Sequence, residues 1–334
     1  MNNVLSLHDI HLWTLDGEEH ILTLHVVTPC TISLEEQKKL KEKVGNNSLK
    51  FPTYVKFHLS EKILEIKINT EGVTKNMQEN ASAFESWAIV LKYHLKEYIE
   101  KIIIDWEKPQ NTSLHYNRFL YRAIKFEKNY DWVVLKGVKD DIEKIEREIN
   151  NWVVNLPSKS AQEKATRQDS ESALERKVLE ILSADNRHKG QQLPTGLFKK
   201  QVSEATAITP GSNSCIDLWE FHDGEFRIYE LKIDSNQGIG ILSELMFYVN
   251  VMNDLKNGII KYPQAKDRYR NIETIIEAIE KGTIKTIVGV FLANKMHPLL
   301  AKNIKGIIEI LNNNTVGILF EKKSISYDKI NIVN

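Results

Sequence analysis

The sequence predicts a mixed α/β protein of the α+β type, and three observations support this class. Several short stretches carry apolar residues at every second position and are separated by Asp-Gly or Asn-rich turns, which is typical of β-hairpins. Longer stretches repeat apolar residues at intervals of three and four, which is typical of helices. The two kinds follow each other in the order α-β-β-α-β over residues 171–292. The length of 334 residues favours two domains.

The first seventy residues show a β-β-α-β order. Alternation predicts four strands, Leu5–Leu15, His20–Val27, Tyr54–Leu59 and Ile63–Asn69. Between the second and third strands, Ser33 and Glu36 form a capping box that begins a helix running to about Val44. This order predicts a ferredoxin-like portion over residues 1–70.

The remainder of the first half alternates helices and strands. Apolar spacing predicts helices over 79–99, 114–126 and 138–152, with strands at 102–104 and 132–135. Arg118, Arg122 and Lys125 share the second of these helices, and they form either a phosphate-binding face or a solvated face over a core stripe. No internal repeat of useful length is visible. Residues 155–170 contain few apolar side chains, so we expect an N-terminal domain at 1–154, a linker at 155–170 and a second domain at 171–334.

The second half contains a hairpin with an unusual face. Strands are predicted at Ile216–Phe221 and Glu225–Lys232, joined by a turn at Asp223-Gly224. In the second strand, Glu230 and Lys232 continue the face that begins with apolar residues, and the first strand contributes Asp217. Charges that continue a buried face need a partner or a metal ion. Two converging carboxylates are suitable ligands for Mg²⁺.

Helices on either side of this hairpin carry further acidic residues. In the helix predicted at 171–182, Glu171 lies inside the apolar stripe and Glu175 lies at its edge. In the helix predicted at 239–255, Glu244 and Tyr248 lie on one side. Residues 193–209 are expected to be irregular. The final part is predicted as a helix at 261–281, a strand at 286–292, a helix at 299–311 and strands at 316–320 and 325–330.

Asp217 followed by Glu230-Leu231-Lys232 resembles the metal-binding motif of the PD-(D/E)xK nuclease superfamily, although Ile216 stands where the family usually has proline. The stretch from Glu175 to Leu179 resembles the first core helix of Holliday-junction resolvases, and Glu244 with Tyr248 is similar to a Gln-xxx-Tyr pair of exonuclease V-type nuclease domains. The resemblance covers roughly residues 165–334 and implies a restriction-endonuclease-like αβββαβ core, one strand of which the sequence does not reveal.

The resemblance also implies roles for these residues. Asp217 and Glu230, with the Leu231 carbonyl, would hold Mg²⁺ or Mn²⁺, and Glu175 would hold a second ion or a water. Lys232 would orient or help to deprotonate the attacking water. Glu244 and Tyr248 would lie near the DNA. The implied function is a magnesium-dependent deoxyribonuclease, with Glu171 as the alternative to Glu175.

A second resemblance concerns the N-terminus. The stretches His8-Asp9-Ile10-His11-Leu12-Trp13 and Leu24-His25-Val26-Val27 resemble the cytoplasmic domain of cation diffusion facilitators, which binds transition metals and dimerises. The resemblance implies His8, His11, His25 and His58 as metal ligands, and a homodimer. The alternative is that these histidines are half-buried strand residues. No apolar run approaches the ~18 residues of a membrane span, so we expect neither a transporter nor any membrane partner.

Composition leaves several functions open. Lys and Arg together number 45, as do Asp and Glu, so the net charge is zero and nucleic-acid binding would need a local patch. The two cysteines, Cys30 and Cys215, suggest no disulfide framework, and we expect a cytoplasmic protein. Besides a DNA nuclease, the sequence allows a catalytically inactive nuclease-fold binding module and a metal-responsive regulator. It does not distinguish endonuclease from exonuclease, or DNA from RNA.

Overall fold

A computed structural model gives the fold of most of the chain. It describes residues 8–13, 19–24, 34–46, 49–155, 171–182, 188–211, 214–232, 238–263, 272–293, 295–301, 303–313, 315–325 and 332–333. Only the backbone is described at 8–13, 19–24, 34, 171–173, 325 and 332–333. The predicted linker therefore lies almost entirely outside the described residues, and the domain boundaries remain a prediction. No helix in the described ranges is long and apolar enough to cross a membrane.

In the described residues, the first half contains two hairpins and four helices of ten or more residues. Its strands are β1 (His8–Trp13), β2 (Glu19–Leu24), β3 (Val55–Ser60), β4 (Ile63–Ile68), β5 (Lys101–Trp106), β6 (Val133–Leu135) and β7 (Trp152–Val154). Its α-helices are α1 (Leu34–Val44), α2 (Thr70–Val73), α3 (Phe84–His94), α4 (Leu114–Asn129) and α5 (Lys139–Glu148). The predicted helices and strands agree with these, except that α2 and β7 were not expected.

One feature of the predicted first half is wrong. A ferredoxin-like portion would place the strands of residues 1–70 in one sheet. In the described residues β1 pairs with β2, whereas β3 and β4 belong to a separate sheet of order β3-β4-β5-β6. The edge of β4 that such a sandwich would use is taken by β5, which runs parallel to it.

The second half is built around a larger sheet. Its strands are β8 (His188–Pro194), β9 (Leu197–Lys199), β10 (Cys215–His222), β11 (Glu225–Lys232), β12 (Thr286–Ala293), β13 (Ile318–Ile325) and β14 (Ile332–Val333). Its helices are α6 (Glu171–Leu182), α7 (Ile241–Lys256), α8 (Glu273–Glu280), α9 (Pro298–Ala301) and α10 (Ile304–Asn312). The sheet order is β14-β13-β12-β11-β10-β8.

The second half differs from the prediction in four places. In the described part of the helix predicted at 261–281, α8 begins only at Glu273, and Lys261 instead forms a β-bridge with Val153. The stretch predicted to be irregular contains β9 and the end of β8, which pairs antiparallel with β10. The helix predicted at 299–311 is divided into α9 and α10, and the strand predicted at 316–320 extends as β13 to residue 325. Strand β8 was missed because it is rich in polar residues and owes its place to pairing with β10, which local composition does not indicate.

Helices pack between the two sheets and join the halves. Helix α3 lies on the first sheet, where Trp87 packs against Phe57 at a ring separation of 5.7 Å, and α7 lies on β11 and β12 of the second. Helix α3 contacts α7 and α10, and Tyr121 of α4 packs against Phe247 of α7 at 5.8 Å. One apolar core therefore runs through both halves. A smaller cluster, including Leu174 and Val178 of α6, covers the opposite face of the larger sheet.

Candidate active site

The backbone pairing between β10 and β11 stops, at the end far from the turn, next to the residues of the predicted motif. The two strands are paired from the turn as far as Leu218 opposite Tyr229. Asp217 is the next residue, and its Oδ2 accepts a hydrogen bond of 3.0 Å from the Leu231 N–H. A side chain thus replaces the backbone pairing at this point, and this fixes the Asp217 carboxylate beside the end of β11.

Glu230 and Lys232 lie on the covered face of β11. Only 1% of Glu230 and 8% of Lys232 is exposed. The Lys232 Nζ donates a hydrogen bond to Glu230 Oε1 and lies 3.4 Å from Glu244 Oε2. A buried ammonium group therefore stands between two buried carboxylates, which is the pairing that charged groups require away from water.

Glu244, in the first turn of α7, is oriented by two donors. Its Oε1 accepts from the Gln78 side-chain amide at 2.5 Å and from the Tyr248 hydroxyl at 2.9 Å. Its Oε2 therefore points towards Lys232 and Glu230. Among the described residues, Oε2 of Glu244 and Oε2 of Glu230 are buried and have no hydrogen-bond partner. These two oxygens are available to bind a cation or to share a proton.

Glu175 of α6 approaches the same end of the hairpin from the other side. It is 5% exposed, and its Oε2 accepts a hydrogen bond of 2.9 Å from Gln192 of β8. It is near enough to raise the pKa values of Asp217 and Cys215. The side chain of Glu171, the alternative to Glu175, lies outside the described residues.

The pKa values in this cluster reflect its low polarity and its many carboxylates. Burial raises the pKa of Asp217 to about 7, although Lys232 and the Leu231 N–H oppose the shift. Burial, Asp217 and Glu244 raise the pKa of Glu230 well above its usual value. Burial opposes ionisation of Glu244 too, but Lys232 and the hydrogen bonds around that carboxylate outweigh it and lower its pKa. These opposite shifts favour a protonated Glu230 beside an ionised Glu244.

Lys232 has the opposite balance. Its burial would lower its pKa, but Glu230, Glu244 and Asp217 outweigh that effect and raise the pKa of the ammonium group. While these carboxylates surround it, Lys232 remains charged at neutral pH. It can therefore attract a phosphate oxygen or hold a water, but it cannot accept a proton in this arrangement.

The donor set suits a hard divalent cation. No three His, Cys, Asp or Glu side chains in the described ranges form a complete set of metal ligands. However, Glu230 Oε2, Glu244 Oε2, which faces Lys232 at 3.4 Å, and the nearby Asp217 carboxylate are the oxygen donors that Mg²⁺ prefers. The chemistry of these donors is therefore suited to a magnesium or manganese ion, and the Lys232 ammonium group lies against two of the three carboxylates.

The N-terminal histidines give no such cluster in the described part. His58 lies on β3, is well exposed, and its Nδ1 is 2.9 Å from Glu36 Oε1. The side chains of His8 and His11 and the whole of His25 lie outside the described residues. The metal site predicted from these four histidines therefore remains a prediction.

Two further residues of the site come from the first half and were not predicted. Gln78 precedes α3 and reaches Glu244 across the contact between the halves. Arg118 of α4 is buried close to Glu244 and Tyr248, and burial lowers its pKa to about 10. Sequence spacing cannot reveal either residue, because each is more than 120 positions from Glu244. An exposed phosphate-binding face on α4 is wrong, and so is the alternative of a solvated face.

The burial of three basic side chains of α4 contradicts both interpretations of this helix. Arg118 is 3% exposed, Arg122 is 2% exposed and Lys125 is 8% exposed. Arg122 is ion-paired with Glu85, and Lys125 with Asp254 of α7. These charges therefore stabilise the packing of α4 against α3 and α7.

Compared with known proteins, the chain matches no protein-family model, no curated protein and no solved structure.

Proposed function

We propose that this chain is a metal-dependent nuclease that hydrolyses phosphodiester bonds in DNA. The observation that carries the proposal is the packing of Asp217, Glu230, Glu244 and Lys232 at one point, with two buried carboxylate oxygens that lack a hydrogen-bond partner within the described ranges. Such a cluster is costly to folding, since each carboxylate is removed from water. Perturbed carboxylates that converge at one point are typical of sites with a chemical role.

The topology adds support. Helix α6, strands β8, β10 and β11, helix α7 and strand β12 follow in the order of a restriction-endonuclease-like core. In the larger sheet β10 is antiparallel to both β8 and β11, and β12 is parallel to β11. We infer that β8 corresponds to the strand that the sequence did not reveal. The resemblance of residues 165–334 to PD-(D/E)xK nucleases and this order of elements favour the same proposal.

Each residue of the cluster has a task in this chemistry. Asp217, Glu230 and Glu244 would hold the cation, and Glu175 a second ion or a water. When bound, Mg²⁺ or Mn²⁺ would lower the pKa of a water and neutralise charge on the phosphate. Lys232 would place its ammonium group against a phosphate oxygen. Gln78 and Tyr248 would keep Glu244 in the orientation that this requires. A contact of Glu244 or Tyr248 with DNA remains a prediction, since both side chains are buried here.

The test is cleavage of single- and double-stranded DNA, and of RNA as a comparison, by purified protein with Mg²⁺ or Mn²⁺. We expect D217N, E230Q and K232M each to lower the cleavage rate by at least about 10²-fold. The matched control is D223N in the hairpin turn, where Asp223 is exposed and Asn tolerates its positive φ of 50°. Wild-type rates in D217N or K232M would refute the assignment.

A second function is favoured by one observation. Lys232 is ion-paired with Glu230 and Glu244, so its ammonium group balances the charge of these carboxylates without a metal ion. This arrangement suits a nuclease-fold module that binds nucleic acid without cutting it. Binding of DNA with no cleavage in either metal would favour this module. Calorimetric binding of Mn²⁺ that D217N abolishes would favour the nuclease.

A further inference from the structure

The two sheets are built in the same order. In the first half, the hairpin β3–β4 is followed by α3, then by β5 parallel to β4, then by α4 and by β6 parallel to β5. In the second half, the hairpin β10–β11 is followed by α7, by β12 parallel to β11, and, after α10, by β13 parallel to β12. Strand order, strand direction and the positions of the crossover helices therefore correspond.

The contact between the halves is also reciprocal. Ser86 is the third residue of α3 and Ser243 is the third residue of α7. The Ser86 N–H donates to Ser243 Oγ at 3.2 Å, the Ser243 N–H donates to Ser86 Oγ at 3.0 Å, and the two hydroxyls are 2.7 Å apart. Around this pair, α4 packs on α7 and α10 packs on α3. Exchanging the halves leaves each of these contacts in place, as a local two-fold axis requires.

Only one half retains the carboxylates. The last pair before the hairpin turn is Ser60 with Ile63 in the first half and His222 with Glu225 in the second. Counting from these pairs, Val55 corresponds to Asp217 and Ile68 to Glu230, and both aliphatic side chains are buried. Thr70 corresponds to Lys232, and Trp87 corresponds to Glu244 when Ser86 is matched with Ser243. None of these four described residues of the first half carries a carboxylate or an ammonium group at the equivalent place.

We propose that residues 49–155 are a degenerate second copy of the nuclease fold, so that the chain is an internal pseudo-dimer with one hydrolytic centre and nicks one strand of a DNA duplex in each binding event. This inference rests on the proposed function. The first copy keeps a supporting role, because it supplies Gln78 to Glu244. Gly240 permits this approach, since a Cβ there would lie 2.2 Å from the Gln78 carbonyl oxygen.

The chemistry explains why one centre gives a nick. A water oxygen bonds to phosphorus, one phosphorus–oxygen ester bond breaks, and the leaving oxygen takes up a proton. The products are one phosphate monoester and one hydroxyl group on a single strand. The other strand runs in the opposite direction, so its cleavage needs either a second centre related by the two-fold axis or a separate binding event.

The first experiment follows the cleavage of supercoiled plasmid by excess full-length protein, with the mass in solution measured by light scattering at the same concentration. We expect open circles to accumulate to most of the substrate before linear DNA forms, and the protein to be monomeric. Linear DNA that appears without an open-circle intermediate, or a dimer that joins two centres, would overturn the single-centre inference while leaving the nuclease proposal standing. A wild-type protein that cuts nothing would refute both.

The second experiment does not depend on cleavage. Calorimetric titration with Mn²⁺ is carried out on the full chain, on D217N and on the turn control D223N. We expect D217N to lose at least about 10-fold in affinity at every detected site, and D223N to behave as wild type. The variant E65Q changes a half-buried acidic residue of β4 in the first half. A Mn²⁺ site that survives unchanged in D217N but is lost in E65Q would place a second centre in the first half and overturn the proposal.

Discussion

At the scale of single residues, Asp217 carries the largest consequence for pH. Its pKa is raised from 3.8 to about 7 mainly by burial, so the folded metal-free protein favours the protonated form. A raised carboxyl pKa contributes stability that is complete below the unfolded pKa near 4. This stability is lost as the pH rises through the folded pKa near 7. The raised pKa of Glu230 acts in the same direction.

We therefore predict that the protein in EDTA loses roughly 2 to 4 kcal/mol of unfolding free energy between pH 4.5 and pH 8. Urea denaturation across this range measures the loss. D217N should have a flatter profile, because Asn has no proton to lose. An unfolding free energy that rises with pH in wild type, or an equal slope in D217N, would contradict the prediction. With Mg²⁺ present the slope should diminish, since the cation favours the ionised carboxylates.

Gln78 is a positioning residue at this scale. Its amide donates to Glu244 Oε1 alongside Tyr248, so its removal leaves the carboxylate less firmly held. We predict that Q78A lowers unfolding free energy by about 1.5 to 3 kcal/mol, which is typical of hydrogen bonds to charged groups. It should also weaken Mn²⁺ binding about 10-fold. Urea denaturation and calorimetry measure the two effects, and Q201A on an exposed loop position is the control. Wild-type Mn²⁺ affinity in Q78A would exclude this role.

At the scale of helices and strands, α4 shows how a charged face can be buried. Arg122 donates from Nε to Glu85 Oε1 of α3 at 2.8 Å and from Nη2 to the Ser82 carbonyl at 2.8 Å. Both Arg122 and Glu85 are 2% exposed. Each charge has therefore exchanged water for the other, and neither can lose its partner without a large cost.

We predict that R122M destabilises the protein by about 3 to 5 kcal/mol, because it leaves Glu85 charged and buried without its partner. The double variant R122M/E85M should recover most of that loss. K281M is the control, since it removes an exposed pair with Glu277 in α8 and should cost less than about 1 kcal/mol. Chemical denaturation of all three measures the effects. A cost for R122M no larger than that for K281M would contradict the burial of this pair.

At the scale of the whole molecule, the shared core bears on the predicted division into domains. Phe247 of α7 packs on Tyr121 of α4, and Asp254 of α7 accepts hydrogen bonds from Tyr121 and Lys125. The first half therefore covers the side of α7 that faces away from the second sheet. A fragment that contains only the second half would expose this apolar and charged surface to water.

We predict that residues 165–334 produced alone show no cooperative unfolding transition, and that co-production with residues 1–160 restores one. Circular dichroism during urea denaturation distinguishes the two cases. The co-produced pair is the control for damage caused by cutting the chain. A sharp transition and full solubility of the isolated fragment would show that its core is sufficient and that the two predicted domains fold independently.

The sequence by itself determined most elements and the centre of the candidate site. Hairpin β10–β11 and helix α6 follow from local alternation and spacing, and β11 and α6 have the predicted bounds. Asp217, Glu230 and Lys232 were recognisable because charged residues on an otherwise apolar strand face violate a strong local rule. Each of these charged residues is recognised against the apolar residues of its own strand, a few positions away, so no knowledge of the fold is needed to see it.

Tertiary structure alone decided how the halves meet. Gln78 and Glu244 are 166 positions apart, and Ser86 and Ser243 are 157 apart, so no periodicity connects them. The repeated strand order is likewise hidden, because Val55 and Ile68 preserve the packing of a strand while losing the carboxylates of Asp217 and Glu230. A core requires only apolar side chains of suitable volume, and many sequences supply them. The arrangement that surrounds the site is therefore visible only when the chain is folded.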